Sequence, residues 1–553
     1  MQMKLVCRPS KLSLIQAGIV KEKIETAFPD TPVEIIPKPS RGDLNQDVPI
    51  YELGEKDVFT SDIDAWLLSG AADLAVHSMK DVSVEQYENN NFITAIVERD
   101  IPHDVVIFNP NIEQLIAEKK IIRIGTSSLR REELVPPFLK KALPNGASTE
   151  IKIIPIRGNV DTRLKKLRDG DYDGIVLAAA GLNRLLNDEQ LVGWSDRSRP
   201  TDQPTNRLTD QPSNSLSIVQ LLAGTKKMFL PLIECTPAPA QGAILAVALG
   251  ENRKIATILE KINQISLKEK ISAERLVMKN FGGGCHQRYG VHAVEYRDGF
   301  FLAVAGKNNA GENISGTHFD LKNNFEKNFE NEFEKNFEKK IKNKIFFSAT
   351  DFMKSFFEKK YFSEKILREK NFYEKVFLKK NIFVAHHHAV GENKKIIAAL
   401  KNKNVWTAGT RTWFELAQRG IWVEGCADGF GLDWLQNIFC KNIVNVNPKE
   451  TLVLTNDNVE QQEESAQTDE LQRISTYYLV PTNNAELVSQ LQNAHVIFWT
   501  SFMQFQFYNQ YARTDAQHCC PSGKTAEKLR ALGLNPIVFP SIKVFLEWRE
   551  VKN

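Results

Sequence analysis

The chain reads as an α/β protein of several domains, on three observations. Its 553 residues exceed what one hydrophobic core organises. Residues 1 to about 190 alternate short apolar runs with amphipathic stretches. Two segments of odd composition then interrupt that rhythm.

The runs come in order as "MKLVC", "VEIIP", "DLAVH", "FITAIV", "VVIF", "IIRIGT", "IKIIPI" and "DGIVLAAAG". Each is short enough for a buried strand, and stretches such as "TRLKKLRDGDYD" between them have helical patterning. Such βα alternation predicts open sheets whose ligands bind beyond the carboxyl ends of the strands. The first interruption, residues 199–217, nearly repeats itself (TDQPTN, TDQPSN) and is poor in apolar residues; a disordered insertion is expected. Structure should resume at "TPAPAQGAILAVAL", followed by a smaller unit from about Glu251 to Leu321. The second interruption, residues 322–343, carries Phe325, Phe329, Phe333 and Phe337. A spacing of four drifts around a helix, so this stretch reads as a short docked helix or a low-complexity linker. A further α/β region is expected over residues 344–553.

Composition excludes several classes. A net charge of +3 is too small to suggest a nucleic-acid binder. No apolar run reaches the length of a membrane span, and the first residues lack a signal-peptide core, so a cytoplasmic protein is expected. The seven cysteines show no CxxC or Cys/His zinc spacing, so neither a disulfide framework nor structural zinc is expected. His386, His387 and His388 are consecutive; residues on a strand alternate faces, so no metal site is expected there.

Polar residues concentrate at the predicted strand ends. Arg8, Arg130, Arg131, Arg157, Arg163 and Arg184 offer forked guanidinium groups, and Ser10, Thr126, Ser127 and Ser128 add hydroxyls. Singly, each Arg is an ion-pair partner; together on one face they would form a cleft for a polyanion. Asp81, next to Lys80, would stay ionised among those cations and could stabilise a developing positive charge, or simply cap a helix. In "KNFGGGCHQRYG" three glycines precede Cys285, a turn suited to glycine that presents one thiol; the alternative is a buried, inert cysteine.

These residues also carry a resemblance. "AVHSMKDV", "GTSSLRR", "RGNVDTRLKKL", "DGIVLAAAGLNR", "PAPAQGA" and "GGGCHQRYG", in this order, resemble hydroxymethylbilane synthases, also called porphobilinogen deaminases. The resemblance runs from Leu5 to about Leu321. It implies two α/β domains like type II periplasmic binding proteins, over residues 1–100 with 218–248 and over 101–198. A small α+β domain, 249–321, would hold the cysteine loop. It also implies head-to-tail joining of porphobilinogen with loss of ammonia, on a dipyrromethane cofactor bonded to Cys285. Asp81 and Lys80 would be catalytic, with Asp81 facing the azafulvene cation. Ser78, Ser127, Ser128, Arg130, Arg131 and Arg184 would hold the cofactor, and Arg8, Ser10, Gln16, Lys56, Arg157 and Arg163 the substrate. The partners implied are porphobilinogen and the linear tetrapyrrole, with no nucleic acid or membrane, on a monomer. Gly282 stands where the family often has Glu, and "LGEKDVFT" leaves Lys56 as the match to the family's lysine.

Residues 344–553 read as two α/β halves, and "AGTRT", "PSGKTA", "FWTS" and "LVLTNDN…STYYLVP" resemble uroporphyrinogen-III synthases. That resemblance implies cyclisation of the tetrapyrrole, with Tyr477, Thr500, Ser501 and Thr525 lining a cleft. A structural appendage is the alternative for this half, and a solute-binding module without chemistry is the alternative for the first.

Overall fold

The computed structural model describes residues 2–41, 60–84, 86–87, 92–118, 121–195, 216–281, 287–296, 299–321, 346–348, 356–363, 366–367, 370–457, 472–482, 484–521, 523–539, 542, 545–546 and 549. The chain forms two compact units. One comprises Met1–His292, Val304–Ser315 and Lys441–Asn445; the other comprises Ala293–Ala303, Gly316–Cys440 and Val446–Asn553.

The first unit holds two five-stranded sheets. One contains β1 (Met3–Cys7), β2 (Val33–Pro37), β3 (Leu74–Ser78) and β4 (Phe92–Arg99). The other contains β5 (Asp104–Phe108), β6 (Ile121–Gly125), β7 (Glu150–Ile154), β8 (Gly174–Ala178) and β9 (Lys226–Phe229). A late strand, β10 (Ala243–Leu249), completes the first sheet, whose order is β2-β1-β3-β10-β4. The second runs β7-β6-β8-β5-β9. The two share one plan: three parallel strands, then two antiparallel steps.

The central strands are continuous apolar runs because both faces of each sheet are covered. All five residues of β5 are buried, as are the first six of β10. In β1, Met3, Leu5 and Cys7 share one core with Ala17, Val20 and Ile24 of the helix Lys11–Ala27. Val6 points the other way, into a core with Ile63 and Leu67 of the helix Ser61–Leu68. The helix Arg253–Ile262 adds Ile255, Ile258, Leu259 and Ile262, an i, i+3, i+4, i+7 stripe, to the Leu5 side.

Two boundaries differ from the sequence expectation. Residues 218–229 were expected with the first domain, but β9 pairs with β5, so the return to the first sheet comes only with β10. Ser217 was assigned to the insertion, yet its side chain accepts from the Gln220 amide and caps the helix Ile218–Leu222. A local capping box outweighs the polar composition around it. The rest of the insertion, apart from Leu216, and all of residues 322–343 lie outside the described residues.

Strands β11 (Arg288–Tyr296), β12 (Gly299–Lys307) and β13 (Gly316–Leu321) form a three-stranded sheet in that order. The second unit has two further sheets. A four-stranded one, β14 (Phe346–Ser348), β21 (Val496–Phe498), β22 (Gln517–Pro521) and β23 (Ile537–Phe539), is parallel throughout. The six-stranded one takes β15 (Phe357–Tyr361), β16 (Asn381–Val384), β17 (Asn404–Thr407), β18 (Val423–Cys426), β19 (Thr451–Asn456) and β20 (Gln472–Pro481). Its order is β15-β20-β19-β16-β17-β18, parallel except at β15. The direction of chain progression reverses between β16 and β19, which opens a crevice at their carboxyl ends.

Candidate active site

Strand β3 ends at Ser78, and a single 3-10 turn, Met79–Asp81, carries Lys80 and Asp81 past the strand's carboxyl end. Ser78 is held there by Gln16, whose Nε2 lies 3.0 Å from the serine Oγ. Gln16 belongs to the helix that Ser10 caps by accepting from the Ser13 amide. Arg8, Ser10, Gln16, Ser78, Lys80 and Asp81 therefore surround the adjacent ends of two neighbouring strands.

The second sheet brings its residues to the corresponding place. After β6 the loop Thr126-Ser127-Ser128 leads into the helix Leu129–Ala142, with Ser128 at the cap position. Ser127 Oγ donates to the Ile156 carbonyl at 2.8 Å and accepts from its amide at 3.0 Å, which ties the loop to the chain after β7. Gly125 is required: a Cβ there would stand 2.8 Å from the Tyr172 ring.

Arg130 and Arg131 are buried in the first turn of this helix and converge on Asp104, the first residue of β5. Arg131 Nη2 donates to Asp104 Oδ1 at 2.7 Å, and Arg130 Nη1 lies 2.8 Å from Oδ2. Arg130 Nη1 also donates to the Thr236 carbonyl, and Arg131 Nη1 to the Val176 carbonyl. Burial alone would raise the Asp104 carboxyl, but the two guanidinium groups hold it below the ordinary carboxylate range. Burial lowers Lys80; Asp81 and Asp104 oppose that, while Arg131 and Arg130 reinforce it. Residues from both sheets thus share one electrostatic neighbourhood.

The cationic set extends from there. Arg163 is lowered to about 10, by burial and then by Arg131 and Arg157 beside it. Arg157 is lowered by burial too. Arg163 Nε donates to the Gly158 carbonyl at 2.8 Å. Arg184 differs: it is buried, donates to the Gly242 carbonyl at 2.7 Å and lies 3.6 Å from Glu98. Arg131 and Arg157 thus both bear on Arg163, while Arg131 is also paired with Asp104.

Cys285 and Lys56 lie outside the described residues. The chain on either side of the cysteine loop is firmly held. The helix Ile265–Asn280 precedes it, and Glu274 on that helix is fully buried, bonded to Arg99 at 2.8 Å, His292 at 3.0 Å and the Ala240 amide at 2.6 Å. Arg99 and His292 overcome the effect of burial and lower Glu274 to about 2. On the same helix Arg275 donates to the carbonyls of Val82 at 3.0 Å and Ser83 at 2.6 Å, just after Asp81. Beyond the loop, a Cβ on Gly290 would collide with the Thr236 carbonyl, and the Val291 amide donates to Pro237.

Asp104, Glu274 and Arg275 escaped the sequence reading. Asp104 had one visible signal: a lone acid opening the apolar run "DVVIF". Arg275 and Glu274 had none, since "AERL" looks like any solvated helix turn.

In the second unit, Tyr477 is buried on β20 and raised to about 12 by burial, against a hydrogen bond from Asn456. Thr500 donates to Gln504 Oε1 at 2.7 Å, and Ser501 caps the helix Phe502–Tyr508. Thr525 lies in the first turn of the helix Lys524–Ala531. These four belong to the rims of two different sheets. The histidines depart from expectation. Strand β16 stops at Val384, and His387–Ala389 form a 3-10 turn, so face alternation no longer applies. The three rings cluster with centroids 4.1–4.6 Å apart, His386 stacked on His388 and the other two pairs tilted. Burial and neighbouring histidines lower His386 and His388 to about 3.

Residues 3–202 match the family described as "Porphobilinogen deaminase, dipyromethane cofactor binding domain". A "Probable porphobilinogen deaminase" of Pyrobaculum islandicum is 33% identical over 290 residues, 52% of this chain and 82% of that protein. One from Picrophilus torridus is 33% identical over 298 residues, 54% and 87% respectively. Among solved structures, PhnD1 from Prochlorococcus marinus in complex with methylphosphonate shares 16% identity over 50% of this chain and 90% of that one. Its TM-score of 0.25 is too low to bear on the fold. Among the described residues no helix is long and apolar enough to cross a membrane. With a third of the aligned residues identical over about half of this chain and more than four fifths of two curated relatives, the chain belongs to the porphobilinogen deaminase family.

Proposed function

We propose that the first unit joins four porphobilinogens head to tail and releases hydroxymethylbilane, with Asp81 as the central catalytic group. Family membership supports tetrapyrrole biosynthesis through hydroxymethylbilane formation. The observation that carries the residue roles is the shared neighbourhood of Lys80 with Asp81, Arg130, Arg131 and Asp104. Cys285 would hold a dipyrromethane, which would supply the pyrrole terminus for chain growth. Asp81 would hold pyrrole N–H groups and stabilise the cation left when ammonia departs. Arg157, Arg163 and Arg8 would bind the acetate and propionate groups, and Ser10, Gln16, Lys56 and Ser78 would complete the substrate side. Ser127, Ser128, Arg130, Arg131 and Arg184 would hold the cofactor region, the buried arginines doing so by fixing the loop and helix around it. Intact-mass measurement of purified chain tests this: two pyrrole units added to the fragment containing Cys285 are expected. An unmodified thiol in active protein would refute it.

A second reading concerns the other unit, and two sheets of mostly parallel strands favour it. It would cyclise hydroxymethylbilane to uroporphyrinogen III, using Tyr477, Thr500, Ser501 and Thr525 as hydroxyl donors at strand ends. Full-length chain given porphobilinogen should then yield mainly the type III isomer. Only the symmetric type I product, which forms unaided, would reduce this unit to an appendage.

A further inference from the structure

We propose that His386, His387 and His388 form a binding site for a divalent transition metal ion of the imidazole-preferring class. No other triad of metal-ligating side chains gathers in this way among the described residues. One ligand atom from each ring lies within 4.8 Å of the other two. Imidazole nitrogens bind such ions at about 2.0–2.1 Å, so contraction by side-chain rotation alone would bring three of them onto one ion.

His387 supplies the independent observation. Its side chain is among the buried ones, only 6% of the residue being exposed, and its Nδ1 has no hydrogen-bond partner. A buried nitrogen without a partner carries a desolvation penalty that ligation would relieve. The other two rings are oriented. His386 Nδ1 offers its lone pair to the His388 amide at 3.2 Å, and the ion would take that lone pair over. His388 Nδ1 lies 3.3 Å from the Tyr361 hydroxyl, an outer partner of the kind that fixes a metal-bound ring.

Location and charge agree. The triad follows β16 at its carboxyl end, beside the point where the sheet order reverses. Arg419 donates to the His387 carbonyl at 3.1 Å, but its charge faces Glu392 at 3.5 Å and Glu415 at 3.7 Å. Lys359 and Arg411 are exposed and screened by solvent. With three neutral imidazoles and no carboxylate among its ligands, the site selects against hard ions that need carboxylates. It favours copper(II), nickel(II) or zinc(II).

The test uses the full chain without a histidine tag. Isothermal titration with nickel(II) should show one tight equivalent, and copper(II) at one equivalent should give an electron paramagnetic resonance spectrum with coupling to three imidazole nitrogens. His386→Gln and His388→Gln, at half-buried positions, should each weaken nickel(II) binding at least tenfold while circular dichroism stays unchanged. His387→Gln should do the same if it folds, and the other two variants decide the matter if it does not. Absence of the tight equivalent, coupling to fewer than three nitrogens, or folded variants that bind like the parent would overturn the site.

Discussion

The two units are built from similar sheets, yet they bury charge to different extents. In the first, strand ends bury full charges against each other: Asp104 with Arg130 and Arg131, and Glu274 with Arg99. In the second, the groups gathered at strand ends are mostly neutral, Tyr477, Thr500 and three imidazoles lowered by burial, beside one half-buried ion pair of Lys370 with Asp457 at 2.9 Å. Buried ion pairs contribute little net stability, but removing one partner is costly because the other stays behind unsolvated. Sites built from ion pairs are therefore rigid and intolerant, whereas neutral sites tolerate change. The difference suits a first unit that must oppose a transient cation at one fixed point.

The largest expected effect tests that intolerance. Asp104→Asn strands two buried guanidinium groups, so stability of the first unit should fall by about 3–5 kcal/mol. In urea denaturation followed by circular dichroism, the transition of that unit should move while that of the second stays. A uniform shift of both would erase the distinction. Next comes Asp81→Asn, which keeps shape but removes charge; ammonia release should slow roughly 100- to 1,000-fold without loss of stability.

A third expectation is the acid limit. Glu274 in the folded chain titrates at about 2, below its ordinary value near 4.5, so the unfolded state binds more protons across that range. Its contribution is complete above about 4.5 and is lost as pH falls toward 2. His292, also lowered by burial, acts in the same direction at higher pH. Glu274→Gln should flatten the pH dependence of the first unit's stability in that window, and an unchanged slope would show that the acid limit lies elsewhere.

Arg275→Ala should lower turnover about tenfold by leaving the Val82 and Ser83 carbonyls without their donor. Arg275→Lys should recover part of the loss; equal loss in both would assign the effect to packing. The smallest effect is expected in the neutral unit. Thr500→Val removes one hydroxyl bond to Gln504 and should cost about 1 kcal/mol, with ammonia release unaffected.

Much of this molecule was legible as sequence where one residue type has one physical meaning. The continuous apolar run "VVIF" was read as a short buried strand and is β5; "AILAVAL", where structure was expected to resume, is β10. The cationic cluster was legible as a set, because six arginines at strand ends need a shared explanation. Their partners were not, since pairing depends on which strands become neighbours. Arg130 and Arg131 were read as open forks, but each reaches a carboxylate more than twenty residues away. The histidines failed for a different reason. The alternation argument assumed the strand continued, and Val384 ends it.

The late arrival of β10 has a consequence for how the chain is made. All strands of the second sheet fall between Asp104 and Phe229, so that sheet can close from a contiguous stretch. The first sheet begins at Met3 but has a gap between β3 and β4 until residues 243–249 leave the ribosome. Its pairings are the longer in sequence separation and so the slower to form. Of these two sheets, the one synthesised first is thus completed last, and meanwhile the edges of β3 and β4 stay open to wrong pairing.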